Sequence, residues 1–599
     1  MPLEQFDFER YVLLSCVDES IRTEDRTFNL GIHKYRNLYS PRGHKYLVDF
    51  QYAPTPTLWY RIGNIVIRKE LLFVHGEDQL MIRYTVEEAP QKFLFQMKPF
   101  LAYRRAHSLT HANMDADTKY EEADQGVSFC MYGGFPRLYL QLNKKGEWIA
   151  SPDWYHDIEY KEEIARGYEG HESLFVPGYF ELELKKVDSL IFSASTAEEK
   201  PKGMTRKFNK EIEIRPPKDN FENCLRNSAS QFIVERGGRT QIIAGFPWFD
   251  RWGRDTFISL PGLTISLGDL KTCYKVLDSM IGEMQNGFFP NTGSKNMVLY
   301  NSVDAPLWFF WVLQRLREAG ESGEKLWEKY GEVMKKILET YRNGGIYSVH
   351  MAENGLIWQG EKGMALTWMD AVYEGVPVTP RTGFAVEICS LWYNAVRFTL
   401  ALAEEAEDET FVRAWADIPG LIEDHFMEVF WYEKGKYLAD YVDENGQNTD
   451  VRPNQIFAIS LPYSLVDSQY QRWIIDRIKT ELFTPKGIRT LSPKNIRYKG
   501  VYQGDQEERD KAYHQGTAWP WLLAHFVTSN IKLRGKDETL HLAERILSSF
   551  DEDMTHYGIA SVSEICDGDP PHRPKGGISQ AGSVAELLRI LKFVQKQKK

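Results

Sequence analysis

The chain predicts an antiparallel β-sandwich followed by an α/α toroid, and three observations carry that prediction. Up to about residue 214, apolar residues come in short, strand-like runs. From Asn220 onward they recur with helical period. Between the two lies Arg215-Pro216-Pro217-Lys218-Asp219, two prolines with polar flanks at the point where the period changes. The expected domains are therefore 1–214 and 215–599.

In the first domain Asn64 to Val74 runs into the turn His75-Gly76-Glu77-Asp78, and Leu80 to Val86 returns, which reads as a hairpin. Phe93 to Phe100, Val127 to Met131, Leu138 to Leu142 and Tyr179 to Leu184 add further short strands. Many short strands with turns between them are the signature of a sandwich. In the second domain helices are expected near 219–235, 255–267, 269–286, 303–319, 324–343, 383–406, 409–428, 454–461, 467–481, 517–532, 537–551 and 578–595. An even number of helices in hairpins can close into a ring with its loops gathered at one end. An open solenoid would show a repeat of fixed period, and none is present.

Composition narrows the function class. A chain of 599 residues, 43% hydrophobic and 26% charged, is an ordinary globular protein of two to four domains. Its net charge is −11, and Lys and Arg form no long block outside the tail Gln595-Lys596-Gln597-Lys598-Lys599, which argues against a nucleic-acid partner. No apolar run is long enough to span a bilayer, and the opening MPLEQFDFERY lacks the order of a signal peptide. Cysteines at 16, 130, 224, 273, 389 and 566, without a CxxC, favour reduced thiols and a cytoplasmic protein. There is no glycine-rich phosphate loop and no HExxH, so neither a cofactor nor a metal is expected.

The chemistry is concentrated in loops. Gly245 to Leu263, GFPWFDRWGRDTFISLPGL, sets Trp248, Phe249, Trp252 and Phe257 among Asp250, Arg251, Arg254 and Asp255. Aromatic planes suit the C–H faces of a sugar ring, and charged forks suit its hydroxyl rim. Thr367-Trp368-Met369-Asp370 puts a carboxylate beside a tryptophan. Ser563 to His572 places Glu564, Asp567 and Asp569 in a turn-rich loop before the last helix. A single loop acid is more often a cap or turn former. Glycoside hydrolysis, however, needs two carboxyls, one protonated and one ionised, and an apolar neighbour such as Trp368 would raise the pKa of Asp370. Other loops mix aromatics with amide, His or acid groups: Asn286 to Asn291, Tyr300 to Asp304, Arg452 to Gln455, and Ala512 to Trp521.

With these segments in order, residues 245–590 resemble the glycogen debranching enzyme family in its amylo-α-1,6-glucosidase part. The matching stretches are GFPWFDRWGRDTFISLPGL, LYNSVDAPLWF, ALTWMDA, VTPRTGFAVEICSLWYNA, VRPNQIFAISLP, GIRTLSP, AYHQGTAWPWLLAHF and SEICDGDPPHRPKGGISQAGSVAELL. A weaker resemblance to the family's N-terminal β domain covers roughly 40–190. The resemblance implies an (α/α)6 barrel acting with inversion, with Asp370 as general acid and Glu564 as general base. It further implies that Arg254 and Asp255 act as a pair gripping the terminal glucose. Trp252, Asn301, Asp304, Trp368, Arg381, His514, Gln515 and Trp519 are the remaining expected substrate contacts. Asp370 is expected to be protonated beside Trp368, and Glu564 ionised, across a carboxyl separation of roughly 6.5–9.5 Å. Asp567 or Asp569 would be the next candidates for base.

The chain also departs from the family. The opening Asn-Gly-Leu-Gly-Gly and Arg-Arg-Tyr-His-Gly segments are not found, so the first strands of the sandwich are expected to be missing. Gly582 stands where a tryptophan is common and Phe384 where a lysine is. The glucanotransferase barrel that accompanies this part in eukaryotic debranching enzymes, and with it transfer activity, is not expected in these residues. The expected function is hydrolysis of α-1,6-linked glucose from a branched α-glucan, the expected partner being that glucan. The alternatives are an α-1,4-glucosidase or phosphorylase on the same barrel, and a glucan-binding protein without activity. Retention of Glu564 argues against the phosphorylase, and retention of both acids against the inactive protein.

Overall fold

The computed structural model describes residues 3, 6, 9–24, 26–294 and 297–598. The opening MPLEQFDFERY thus lies partly, and Lys599 wholly, outside the described residues. Two compact units are present, Met1–Asp219 and Asn220–Lys599.

The first unit holds fifteen strands among its described residues. In order they are β1 (Tyr11–Arg22), β2 (Thr27–Asn29), β3 (Ile32–Tyr35), β4 (Leu38–Arg42), β5 (Leu47–Gln51), β6 (Thr57–Ile62), β7 (Ile65–Phe73) and β8 (Gln79–Glu88). There follow β9 (Phe93–Arg105), β10 (Tyr120–Ala123), β11 (Gly126–Phe129), β12 (Leu138–Leu142), β13 (Glu147–Glu159), β14 (His171–Leu184) and β15 (Ser189–Ser195). One sheet has the order β13-β14-β9-β1-β2, and the other β10-β11-β12-β15-β8-β7-β6-β5; every pairing is antiparallel. The expected β7–β8 hairpin closes at the predicted turn.

Alternating residues of both sheets meet in one core. Val17, Phe95, Met97 and Phe180 face Ile67, Tyr84, Phe129 and Phe192, and Tyr84 meets Phe95 edge-on at 5.0 Å. Burial of that aromatic and aliphatic area is the main force holding the sheets together. A charged pair is buried within it: Glu19 accepts from Tyr84 at 2.5 Å and pairs with Lys69 at 2.7 Å, so neither charge is left alone.

The second unit is helical. Its helices run α3 (Phe221–Phe232), α4 (Gly253–Leu263), α5 (Leu270–Ile281), α6 (Ala305–Glu318), α7 (Gly323–Asn343), α8 (Val386–Glu405) and α9 (Glu409–Trp415), numbered after α1 (Lys161–Ala165) and α2 (Met204–Ile214) of the first unit. They continue as α10 (Ile418–Phe430), α11 (Phe457–Ser460), α12 (Ser468–Glu481), α13 (Gln506–Tyr513), α14 (Leu523–Arg534), α15 (Lys536–Asp551) and α16 (Ala581–Gln597). Packing follows a closed circuit, α4 to α6 to α8 to α11 to α14 to α16 and back to α4. That is the inner ring of an (α/α)6 toroid, as expected.

Sequence explains which helices are inside. α6 (APLWFFWVLQRLRE) and α8 are buried on nearly every face, whereas α5 and α7 bury one stripe only. Inner helices are tied by paired polar groups as well as apolar ones. The Gln314 and Asn394 side-chain amides exchange hydrogen bonds of 3.0 and 2.8 Å between α6 and α8, and Ser460 meets His525 at 2.9 Å between α11 and α14. Asp269, Ser322 and Asp408 cap α5, α7 and α9 by accepting a backbone N–H three residues on.

Two differences from the expected helices have local causes. The single helix expected over 409–428 is two, α9 and α10, because Pro419 prefers the first turn of a new helix to the interior of an old one. The helix α13 was not expected at all. Its sequence QEERDKAY carries almost no apolar stripe, and it is held instead by a capping box between Asp505 and Glu508.

Candidate active site

The loops that carry the chemistry converge at the N-terminal ends of the inner helices. Arg254 and Asp255 lie in the first turn of α4 and Gly582 in that of α16, while Trp519 and Trp521 immediately precede α14. The short strands Gly245–Phe246 and Ser579–Gln580 pair and bring the α4 and α16 approaches together. Together they enclose a cavity of about 190 Å³. Its wall is aromatic, from Phe249, Trp252, Trp368, Tyr513, Trp519 and Trp521, and its polar groups are Arg254, Asp255, Asp370, Glu564 and Gln580. An apolar pocket with a few converging polar groups is the usual form of a small-ligand site.

Asp370 and Glu564 both line this cavity. Arg254 donates to Asp370 Oδ2 at 2.8 Å and through Nε to both Asp304 oxygens at 2.8 Å. Glu564 is 3% exposed. Its Oε1 accepts from the Tyr513 hydroxyl and its Oε2 from the Gly577 N–H at 2.8 Å, so both oxygens are oriented. Asp255 accepts from the Gln580 amide at 3.1 Å.

Burial dominates the electrostatics. It pushes the Glu564 carboxyl up to about 7, against the pull of Tyr513 and Gly577, and the charges of Asp255 and Asp370 push the same way. It pushes Asp255 up to about 6, against the pull of Arg254. Asp370 is also raised by burial, with Arg254 opposing through charge and hydrogen bond. Arg254 itself is drawn down by burial, but Asp304 and Asp370 more than reverse this and raise it. Three carboxyls of one cavity are thus all raised above their ordinary values by burial.

The structure corrects several sequence expectations. Arg254 and Asp255 both line the cavity, but the guanidinium holds Asp304 and Asp370 rather than Asp255. Consecutive residues on a helix point about 100° apart, so they do not face each other. Trp368 does line the cavity beside Asp370 and burial raises that carboxyl as expected, but Arg254 sits directly on it and opposes the shift. Glu564, expected to be ionised, is buried and pushed up to about 7.

Five expected substrate contacts are absent from the described cavity wall. Asp304 is fully buried under Arg254 and Ser302. Asn301 accepts from Asn291 at 3.3 Å. Arg381 is 3% exposed and ties Asp440 (2.8 Å), Glu387 (2.6 Å) and Thr367 (3.1 Å) together behind the Asp370 loop. Gln515 bonds Arg452 at 2.8 Å and the backbone of Val378 at 3.2 Å. His514 is stacked under Trp519, centroids 5.3 Å apart, and burial keeps it well below its ordinary pKa and hence neutral.

Buried charges and amides of this kind brace the wall. Trp368 Nε1 donates to Asn454 at 2.7 Å, and Asn454 to Asp440 at 2.7 Å, which closes a strut with Arg381. Trp252, Arg254, Asp255, Trp368 and Trp519 do line the cavity. The reserve bases do not: Asp567 accepts from the Tyr502 N–H and Asp569 from the Tyr498 hydroxyl, each at 2.8 Å.

Sequence reasoning missed Tyr513 and Gln580 as site residues. Their signal was present, since Tyr513 opens the aromatic run before Trp519 and Gln580 precedes the last helix. Gly582 lines the wall, and a Cβ there would meet only Trp521, at 3.6 Å. Phe384 packs edge-on against Trp358 at 5.2 Å, away from the described cavity lining.

The family model for amylo-alpha-1,6-glucosidase matches residues 227–589, more than half of the chain, and that for the glycogen debranching enzyme N terminal matches 2–191. The chain belongs to the amylo-alpha-1,6-glucosidase family. Within it, the glycogen debranching enzyme of Saccharomyces cerevisiae is 24% identical over 380 residues, 48% of this chain. The matched stretch is 25% of the length of that relative. A bacterial glucoamylase solved in complex with acarbose shares the fold, with a TM-score of 0.63 at 11% identity, covering 98% of this chain and 89% of that one. Among the described residues no helix is long and apolar enough to cross a membrane.

Proposed function

We propose that this chain hydrolyses single α-1,6-linked glucose residues of a branched α-glucan, with inversion, as a cytoplasmic protein. The observation that carries the reading is that Asp370 and Glu564 line one aromatic cavity, each carboxyl raised above its ordinary pKa and each held by its own donors. The aromatic wall takes the sugar face. Arg254, Asp255 and Gln580 supply the polar contacts to its hydroxyls.

Catalysis requires Asp370 protonated and Glu564 ionised. In the unliganded site Glu564 is pushed up to about 7 and Arg254 favours the ionised form of Asp370. Substrate changes the balance. Asp370 is 21% exposed, and a sugar laid over it removes its remaining water and raises it further. Glu564 keeps the Tyr513 and Gly577 donors, which favour its charge. Asp370 then carries the proton, which it gives to the glycosidic oxygen. Glu564 takes a proton from water, the water attacks the anomeric carbon from the opposite face, and β-glucose leaves.

The test is product-resolved hydrolysis of a panel of α-1,4 and α-1,6 glucosides. Glucose released preferentially from single α-1,6 branches is expected. A preference for α-1,4 linkages would make the chain an α-1,4-glucosidase, and glucan binding without hydrolysis would remove the catalytic reading.

A further inference from the structure

The first unit carries a second cluster of reactive side chains, remote in sequence from the carboxyl site. Cys16 and Asp18 stand two residues apart on β1, so the strand period puts them on one face of the sheet. That face is opposite the sandwich core. The β3–β4 hairpin lies over it and brings His33, whose Nε2 is 2.8 Å from Asp18 Oδ2. The Cys16 Sγ, an Asp18 oxygen and a His33 ring nitrogen all lie within 4.8 Å of one another. Among the described residues no other three His, Cys, Asp or Glu side chains converge in this way.

The surroundings hold the three in place. Phe100, across from Cys16 on β9, packs against the His33 ring at 4.9 Å. Gly31 lets the chain descend onto Asp18: a Cβ there would come within 2.4 Å of the Asp18 carboxyl. Lys98, across from Asp18, is directed to the Tyr155 hydroxyl at 2.8 Å. The His33 and Asp18 side chains are 7% and 16% exposed, so the cluster sits at the edge of solvent, open to an ion and shielded enough to hold one.

We propose that Cys16, Asp18 and His33 bind a divalent transition-metal ion, zinc by the nature of the ligands, that staples the β3–β4 hairpin to β1. One thiolate, one imidazole and one carboxylate are all zinc ligands, and three protein ligands with a water complete a tetrahedron. Bond lengths of about 2.0–2.3 Å put tetrahedral ligand atoms roughly 3.3–3.8 Å apart, so side-chain shifts of about 1 Å suffice. The ion takes the place of the hydrogen bond between His33 and Asp18, and the ring proton moves through solvent from Nε2 to Nδ1, leaving Nε2 free to ligate. On binding, the Cys16 thiol gives its proton to solvent, since the ligand is the thiolate. Thiolate and carboxylate then balance the two charges of the ion.

Cobalt(II) titrated into the full chain with reduced thiols tests this. One equivalent is expected to bind, with a thiolate-to-cobalt charge-transfer band and the strong visible absorption of a tetrahedral site. Cys16→Ser should lose the charge-transfer band, and His33→Ala should weaken binding at least about tenfold. Zinc should raise the Tm of the wild type and not that of Asp18→Asn, which retains the shape of the site. Absence of saturable binding would overturn the proposal. So would an unchanged band in Cys16→Ser, or an equal zinc-dependent rise in Tm in Asp18→Asn.

Discussion

At the scale of single residues, the roles of the two carboxyls separate by substrate. A glucosyl fluoride departs without needing a proton. Asp370→Asn is therefore expected to keep appreciable hydrolysis of α-glucosyl fluoride while losing activity on an α-1,6 linkage. Glu564→Gln is expected to lose both. Initial rates on the two substrates check this, and the reverse pattern would exchange the roles. Tyr513 offers a second test through pH. The base must be ionised, and Glu564 is held at about 7, so kcat/KM should fall as pH drops below about 7. The Tyr513 hydroxyl favours the ionised form. Tyr513→Phe should raise the Glu564 pKa and move the acidic limb to higher pH; a limb that stays or moves down would deny Tyr513 this role.

What the sequence conveyed at this scale depended on whether a residue's neighbours in space were its neighbours in the chain. Asp370 and Glu564 stood out because each lay in an aromatic or turn-rich loop, and both line the cavity. The partners of Arg254 were hidden. They come from positions 304 and 370, 50 and 116 residues away, while the adjacent Asp255 attracted the pairing. The same cause misplaced Arg381, His514 and Gln515. They sit in loops that approach the cavity, but their side chains turn backward to brace it.

At the scale of elements, the helices were legible where an apolar stripe repeated. α13 was not, because a capping box rather than apolar burial defines it. The many two- and three-residue strands among the loops were also invisible, being too short for any period to show. One contact fixes how inner helices meet. Gly262 near the end of α4 faces α16, and a Cβ on it would lie 2.1 Å from the Ala585 carbonyl oxygen. Alanine is the better helix former by about 1 kcal/mol. Overlap with backbone forces two inner helices apart, at a cost of up to about 3 kcal/mol, and this should win. Gly262→Ala is expected to lower Tm by at least about 2 °C in calorimetry. An unchanged or higher Tm would show that the α4–α16 crossing yields easily.

At the scale of the molecule, the change of period near residue 215 announced a β unit and a helical unit, and the closed circuit of six inner helices gives the second its toroid. Ring closure was not readable from periodicity, because the contact of α16 with α4 joins positions more than 300 residues apart. It follows from burial. Helices that are apolar on every face, such as α6 and α8, need helices on every side, and a double ring provides them. The same closure gathers the N-terminal ends of the inner helices, where the acids sit.

The central claim is that this gathered site inverts an α-1,6 glucosidic bond with Asp370 and Glu564. Proton NMR of the sugar released in the first moments of hydrolysis of a glucan bearing single α-1,6 glucose branches tests it most directly, before mutarotation mixes the anomers. The account predicts β-glucose as the first product. α-Glucose appearing first would contradict it.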